Sequence, residues 1–505
     1  MRIEIMDTTL RDGEQTSGIA FTDSEKLNIA KMLLEEVMVD RIEIASARIS
    51  KGEFEAVRRI TEWASGKGLL DKIETLGFVD GFASLDWMCS AGAKTMNLLC
   101  KGSFRHVTRQ LKKTPEEHLA DIIATVREAD KRGISVNVYF EDWSNGMRNS
   151  RDYVFFLMEA LQHENIKRFM LPDTLGILNP YEMMEYASIM VDRYPNLHFD
   201  AHTHNDYDLA VANAQAAVRA GFKGVHTTVN GLGERAGNAP LASVVATLKD
   251  HEKCVLNVNE EKLNPISKLV EAFSGIKIPN NKPVVGENVF TQTCGVHADG
   301  DNKDKLYYND LVPERFGRVR QYALGKTSGK ASISANLKEL GIELDAESMQ
   351  KVTKRVVELG DKKEFITKED LPFIIADVLG SFNSEEKVKI ANYYTCHAYN
   401  LKPASTVCIE INGELFEENS SGDGQYDAFM RALKKIYQRL NKDFPTLVNY
   451  MVRIPPGGRT DALVETIITW HFGDKEFKTR GLDSDQTEAA IKATVKMLNM
   501  IEYMG

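Results

Sequence analysis

Asp7-Thr8-Thr9-Leu10-Arg11-Asp12-Gly13-Glu14-Gln15 packs three acids and an arginine into the turn that ends the first apolar run of the chain, Ile3-Glu4-Ile5-Met6. Far downstream, Phe199-Asp200-Ala201-His202-Thr203-His204-Asn205-Asp206 sets two imidazoles at i and i+2, a spacing that turns both to one face of a strand. One aspartate and two histidines, Asp12 with His202 and His204, can share a divalent ion and leave coordination positions open for substrate. The competing reading is two surface histidines and a capping aspartate. Glu141 follows Val136-Asn137-Val138-Tyr139-Phe140, and Asp173-Thr174 follows Arg168-Phe169-Met170-Leu171-Pro172. Carboxylates so placed can act on protons, although Asp173 could simply cap its turn and Glu141 could pair with Arg148. Gly231-Leu232-Gly233-Glu234-Arg235-Ala236-Gly237-Asn238 lacks the spacing of a dinucleotide fingerprint. Its small residues either let backbone N–H groups approach an anion or meet a turn's need for positive φ. Gly325-Lys326-Thr327 has Arg320 where a phosphate-binding loop needs its first glycine, so nucleotide hydrolysis is rejected.

Groups this far apart meet only if a scaffold returns each to the same rim. From residue 1 to about 250 the chain alternates short β-branched runs with longer amphipathic stretches, the pattern of βα units around a parallel sheet. The strand candidates are Ile3–Met6, Arg41–Ala45, Lys72–Gly77, Lys94–Leu99, Ser135–Phe140, Lys167–Leu171, His198–Ala201 and Gly224–Thr228, with helical patterns such as Ser24–Glu36 and Glu116–Lys131 between them. Eight units predict an α/β fold of the TIM (β/α)8 barrel type, because the polar clusters follow many different strands and not the single switch point of a doubly wound sheet. Strands one and seven then lie two apart around the rim, within reach of one ion. Residues 1–280 form the expected barrel domain. Residues 281–388, opening on prolines and running through polar, charged turns at 299–305, read as a linker arm with small helical subdomains that include helices over Ala331–Leu340 and Ala346–Leu359. Residues 389–505 read as a separate α+β domain, with strands at Ser405–Ile411, Asn449–Ile454 and Leu463–His471 and helices at Tyr426–Leu440 and Asp485–Ile501. Its halves resemble each other, each carrying a glycine-rich turn: Ser421-Gly422-Asp423-Gly424 and Pro455-Pro456-Gly457-Gly458.

At 505 residues the chain exceeds what one core supports. A formal charge of -10 disfavours nucleic acid, and no apolar stretch approaches the roughly 20 residues of a membrane span. Met1 runs straight into a strand without a basic leader and apolar segment, which predicts a cytoplasmic protein. Six scattered cysteines without a Cys-x-x-Cys pair read as reduced packing residues.

Jointly, Asp7–Gln15, His202–Asp206 and Gly231–Asn238, continued by Gly295-Val296-His297-Ala298-Asp299-Gly300, resemble the α-isopropylmalate, homocitrate and citramalate synthases of the DRE-TIM metallolyase superfamily. The resemblance covers nearly the whole chain. It implies an acyltransferase in which acetyl-CoA loses a methyl proton, its enolate adds to a 2-oxo acid, and water cleaves the thioester. It further implies that Asp12, His202 and His204, with Asn238 as a possible extra ligand, hold a divalent ion (zinc, manganese, cobalt or magnesium) that chelates the oxo acid. Arg11 would face the developing alkoxide, Thr174 would bind the carboxylate, and Glu141 would organise substrate and water. His297 is the general-base candidate, delivered with Asp299 and Tyr307 from the neighbouring subunit of a domain-swapped homodimer. Acetyl-CoA contacts are expected at Asn238, Asp299, Leu306 and Tyr307, with Lys305 standing where a citramalate relative has Asn.

Arg41–Arg48 and Tyr139–Gly146 look closer to citramalate synthases than to isopropylmalate synthases. Leu76, Leu99 and Tyr139 match the wall around the pyruvate methyl, so pyruvate and (R)-citramalate are expected, with 2-oxoisovalerate and 2-isopropylmalate as the alternative. Plain barrel core is the competing account of the two leucines. The final domain resembles a regulatory domain that binds a branched-chain amino acid, isoleucine or leucine, through Tyr426, Asp427, Leu447, Tyr450, Ile454, Val464 and Gln486, with Ser484 replacing a proline. These residues could equally be dimer core. An aldol-type metallolyase on the same barrel would not need the long arm, and an amino-acid sensor would not need an intact site.

Overall fold

Ile3, Ile5, Ile42 and Ile44 alternate with Glu4, Met6, Arg41 and Glu43, and such period-two alternation gives each strand two unlike faces. The computed structural model describes residues 1–361, 366, 368–379, 387–453, 464–473 and 475–504. Two units divide the chain: Met1–Thr291 with Tyr307–Gln321, and Gln292–Leu306 with Tyr322–Gly505. In the first, eight parallel strands close into a barrel in sequence order. They are β1 (Glu4–Asp7), β2 (Arg41–Ser46), β3 (Ile73–Phe78), β4 (Thr95–Lys101), β5 (Ser135–Glu141), β6 (Ile166–Asp173), β7 (Phe199–Thr203) and β8 (Gly224–Thr227). Each lies within two residues of the strand expected from the sequence.

The isoleucine set and its equivalents, among them Leu98, Val138, Phe169 and Phe199, join the surrounding helices in the main core. The other face turns inward, as hydrogen bonds between non-adjacent strands require. Arg41 of β2 reaches Asp200 of β7 at 2.6 Å, Asn97 of β4 donates to Glu43 of β2 at 2.7 Å, and Tyr139 of β5 meets His226 of β8 at 2.9 Å. The interior is thus a buried polar network where many barrels stack branched apolar residues. Farther along the strands, Met6, Leu76, Tyr139 and Met170 form a small apolar cluster of their own, with Phe78 and Leu99 packed against it.

Where one helix was expected over Ser24–Glu36, α1 (Asp23–Lys31) starts at a Thr22–Glu25 capping box. It widens into a π turn over Met32–Val37, which brings Leu33, Leu34 and Val37 all into the core. α2 (Lys51–Lys67) is capped by Ser50 and closed by Gly68 at φ 69°.

In the second unit the turns expected at 299–305 are instead a helix, Gly295–Asp304, closed by Lys305 at φ 51°. Its backbone starts beside Gly329, where a Cβ on Gly295 would meet the Gly329 nitrogen at 2.5 Å. Ala298 is buried, and Asp299 pairs with Lys303 one turn on. Helices Lys330–Glu339, Ala346–Asp361 and Leu371–Leu379 share a core around Ile333, Leu337, Val352 and Val356. Beyond residue 387 the described residues form two three-stranded antiparallel sheets, each followed by a helix: Val388–Cys396, Ala404–Ile411 and Glu414–Ser421 with Gln425–Arg439, then Thr446–Arg453, Val464–Phe472 and Lys475–Asp483 with Gln486–Met504. The outer strands Val388–Cys396, Glu414–Ser421 and Lys475–Asp483 escape a hydrophobic reading because edge strands need only one apolar face. The two glycine-rich turns are not equivalent: Ser421–Gly424 leads into a helix, and its counterpart is Asp483-Ser484-Asp485, whereas Pro455–Gly458 falls outside the described residues.

Among the described residues no helix is long and apolar enough to cross a membrane. All six cysteines are free. Cys100 and Cys254 are buried as packing residues, but Cys89 is exposed on its helix.

Candidate active site

The turn after β1 is tied down at several points. Asp7 Oδ1 accepts the Thr9 N–H at 2.9 Å, and Thr9 Oγ1 accepts the Val229 N–H, just past β8, at 2.8 Å. Lys26 of α1, 1% exposed, donates to the Leu10 carbonyl at 3.1 Å and pairs with Glu14 at 2.6 Å and Glu53 of α2 at 2.5 Å. These contacts carry Asp12 across the end of β8 to His202 of β7 and to His204 just beyond that strand.

Asp12 Oδ2 lies 3.1 Å from His202 Nε2 and 3.8 Å from His204 Nε2. The two Nε2 atoms are 3.3 Å apart, and all three side chains are buried. Asn238 Nδ2 donates to Asp12 Oδ2 at 3.0 Å and to the Leu232 carbonyl at 3.1 Å, while its Oδ1 is buried without a hydrogen-bond partner. Burial lowers His204 to about 4 and also holds His202 below its ordinary value, so both imidazoles are neutral donors. Burial alone would raise Asp12, but opposing interactions, the Arg11 charge foremost, outweigh it and keep the carboxylate ionised. Three deprotonated ligand atoms within 4.8 Å of one another suit a divalent cation.

Arg11 donates from Nε to Glu43 at 2.6 Å, and its guanidinium stands 3.6 Å from Asp12 and 5.8 Å from the centre of the Tyr139 ring. Burial works against its charge, yet Glu43 and Asp12 raise its pKa further. Glu43 is held in turn by Asn97 at 2.7 Å, and Asn97 by Asn137 at 2.9 Å. Beside this cation Leu76, Leu99 and Tyr139 meet in the small apolar cluster, apart from the main core. Burial pushes the Tyr139 phenol well above its ordinary range, so it keeps its proton.

Glu141 pairs with Lys101, its register partner on β4, whereas Arg148 pairs with Glu182 at 2.6 Å. Thr174 Oγ1 accepts the Asp142 N–H at 2.9 Å. The Asp173 carboxylate caps its own turn, accepting Ile177 N–H at 3.0 Å and Leu178 N–H at 2.9 Å. In the loop after β8 the N–H groups of Gly231, Gly233, Gly237 and Asn238 donate to Thr228, Thr16, Glu234 and Gly231. With Gly231, Gly233 and Gly237 at positive φ, the glycines serve the turn, and an anion cradle built from those amides is corrected.

His297, Asp299 and Leu306 belong to the second unit and Tyr307 to the first. His297 Nδ1 lies 3.2 Å from Gln292 Oε1, Asp299 bonds Lys303 at 2.6 Å, and Leu306 and Tyr307 are exposed. Lys305 occupies a left-handed position that asparagine tolerates better. Of the effector candidates, Tyr426 bonds Thr494 at 2.7 Å, its ring lies 5.4 Å from that of Tyr450, and Tyr450 bonds Gln486. Asp427 is held by Asp423 and Arg431. Leu447 is exposed opposite Trp470, Val464 is half-buried opposite Asp483, and Ile454 falls outside the described residues.

Sequence reasoning missed Glu43, Lys101, Lys26, Asn97 and His226. For Glu43, Asn97 and His226 the signal was present as polar residues alternating with apolar ones, as in Arg41-Ile42-Glu43-Ile44 and Ser135-Val136-Asn137-Val138-Tyr139.

Comparison with known proteins covers the chain from end to end. Residues 2–270 match the family described as HMGL-like, 284–364 the homocitrate synthase post-HMGL domain-like family, and 365–502 the LeuA allosteric (dimerisation) domain. A probable 2-isopropylmalate synthase of Methanopyrus kandleri is 38% identical over 99% of this chain and 98% of its own length. In Methanocaldococcus jannaschii, the (R)-citramalate synthase is 34% identical over 99% of this chain and all of that protein, and the 2-isopropylmalate synthase 33% identical over 99% and 95%. One percentage point between two enzymes of one organism does not choose a substrate.

Proposed function

Because this chain belongs to the family of citramalate and 2-isopropylmalate synthases, we propose that it condenses acetyl-CoA with pyruvate to give (R)-citramalate. The observation that carries the choice of oxo acid is the apolar cluster of Leu76, Leu99 and Tyr139 with Met6 and Met170 beside the Asp12–His202–His204 set. Bulky walls there would favour a methyl group over an isopropyl group, since each misplaced methylene costs roughly 1–3 kcal/mol. The 38% identity to a probable 2-isopropylmalate synthase favours 2-oxoisovalerate as the second reading.

Asp12, His202 and His204, with Asn238 beside them, would hold a divalent ion, zinc, manganese, cobalt or magnesium, which supplies Lewis acidity toward the carbonyl oxygen of the oxo acid. Arg11, kept cationic and fixed by Glu43, places a preorganised positive charge where negative charge develops on addition. Thr174, already accepting a backbone N–H, keeps its own hydroxyl proton for the substrate carboxylate. Glu141, oriented by Lys101, positions substrate and water. His297, delivered with Asp299 and Tyr307 from the neighbouring subunit of a swapped homodimer, takes the methyl proton of acetyl-CoA as general base. The Tyr426–Tyr450 region binds a branched-chain amino acid, isoleucine where the product is citramalate.

A thiol-release assay at equal concentrations of pyruvate, 2-oxobutyrate and 2-oxoisovalerate tests the assignment. Thiol should appear only with acetyl-CoA and an oxo acid together, fastest with pyruvate. Preference for 2-oxoisovalerate transfers the assignment to 2-isopropylmalate synthesis, and release from a single substrate indicates a lyase.

A further inference from the structure

Behind the pocket wall runs a line of buried polar groups that none of these steps uses. Tyr139 Oη lies 2.9 Å from His226 Nδ1, and His226 Nε2 lies 3.1 Å from Asp200 Oδ2. The same carboxylate takes Arg41 at 2.6 Å on one oxygen and stands 2.9 Å from His198 on the other, while Arg41 also reaches Glu74 at 2.9 Å. Tyr139, His226, Asp200 and Arg41 come from β5, β8, β7 and β2, so the line crosses the barrel interior. All four are buried. An ionised carboxylate paired with Arg41 has no proton to give. His226 must therefore carry its proton on Nε2, Nδ1 is an acceptor, and the Tyr139 hydroxyl donates to it.

That bond matters because the ring has soft neighbours. Tyr139 shares its cluster with Leu76 and with Met6 and Met170, unbranched side chains that adapt to the space around them, and Leu99, only partly buried, packs against that cluster. The two methionines can follow a tilt of the ring, whereas the hydroxyl anchor fixes it edge-on to His202, with centroids 5.9 Å apart at 86°, and to His226, 5.5 Å apart at 80°. We propose that His226 is a specificity-determining positioning residue: oriented by Asp200, it anchors the Tyr139 hydroxyl and so fixes the ring that closes the pocket against oxo acids larger than pyruvate. The proposal rests on the assignment of this cluster as the oxo-acid pocket.

The test compares full-length wild type, Tyr139→Phe, His226→Gln, the double variant and His226→Asn, measuring kcat and KM for pyruvate and 2-oxobutyrate by thiol release. Tyr139→Phe removes one oxygen and His226→Gln moves the polar atom to the Asp200 side, so each breaks the same bond. Each should lower the pyruvate-to-2-oxobutyrate ratio of kcat/KM by about tenfold, mainly through KM, the discrimination one methylene allows. The double variant should lose no more than either single variant. His226→Asn, whose side-chain oxygen can stand near the Nδ1 position, should recover most of the ratio. An unchanged ratio in Tyr139→Phe overturns the proposal whatever the histidine variants do to folding, and so does multiplication of the two losses in the double variant. If wild type itself prefers 2-oxoisovalerate, the pyruvate reading falls and with it the exclusion of larger oxo acids by this ring, while the change in ratio between variants still decides whether His226 positions the ring.

Discussion

Asn238 is where a single atom's role in the candidate site is most open to measurement. Its amide nitrogen holds Asp12 Oδ2 and the Leu232 carbonyl, and its oxygen has no hydrogen-bond partner in a buried place. Asn238→Ala should weaken ion retention by about 10–100-fold, the usual loss when a group that orients a ligand is removed, read as ion content after dialysis against graded chelator. Retention equal to wild type would take Asn238 out of the site. Asp7 gives the pH prediction. Burial raises its carboxyl from 3.8 to about 7 against the opposing hydrogen bond from Thr9, and an unfolded aspartate titrates near 3.9. Between those values the native state holds a proton that the unfolded chain has released, so stability falls as pH rises from about 4 to 7. The loss is up to about 4 kcal/mol, at 1.36 kcal/mol per pH unit. Asp7→Asn, which mimics the protonated form, should flatten urea-derived stability across that window. An unchanged slope would mean that Asp7 is ionised in the native state.

At the scale of elements, Lys26 fastens α1 to the turn carrying Arg11 and Asp12 and to Glu53 of α2. Lys26→Met leaves two carboxylates facing each other without their cation, and breaking a buried pair in this way costs about 3–5 kcal/mol. A urea midpoint within experimental error of wild type would show that the helix holds the turn without it. The barrel strands were legible in the sequence because each carries a compact apolar set that the surrounding helices bury, and the Asp12, His202 and His204 set because rare residue types recur at strand ends. Partners across the barrel were not. Glu43 and Asn97 alternate with apolar neighbours in plain view, but their bond spans 54 positions and exists only once the sheet has closed. The Glu141 partner was open for the same reason. Arg148 is nearer in sequence, and the β4–β5 register delivers Lys101 instead. The helix Gly295–Asp304 was hidden by its composition, since glycine and aspartate signal turns until Ala298 is buried and the first turn closes against Gly329.

At the scale of the whole molecule, the chain keeps its groups on two units, with Asp12, His202 and His204 on one and His297 and Asp299 on the other. If the neighbouring subunit completes each site, defects on the two units must complement between chains. Asp12→Asn disables the barrel of its own chain and leaves its His297 intact, whereas His297→Asn does the reverse. Either variant alone should be inactive, because every dimer then repeats the same defect at both sites. Unfolded and refolded together in equal amounts, half of the dimers pair unlike chains, and in each of these one site receives a sound barrel and a sound histidine. Recovered activity should therefore approach about a quarter of wild type, the statistical value for a swapped twofold dimer. Should the mixture stay as inactive as its components while light scattering shows dimers, each barrel takes His297 from its own chain, and the swapped arrangement is wrong.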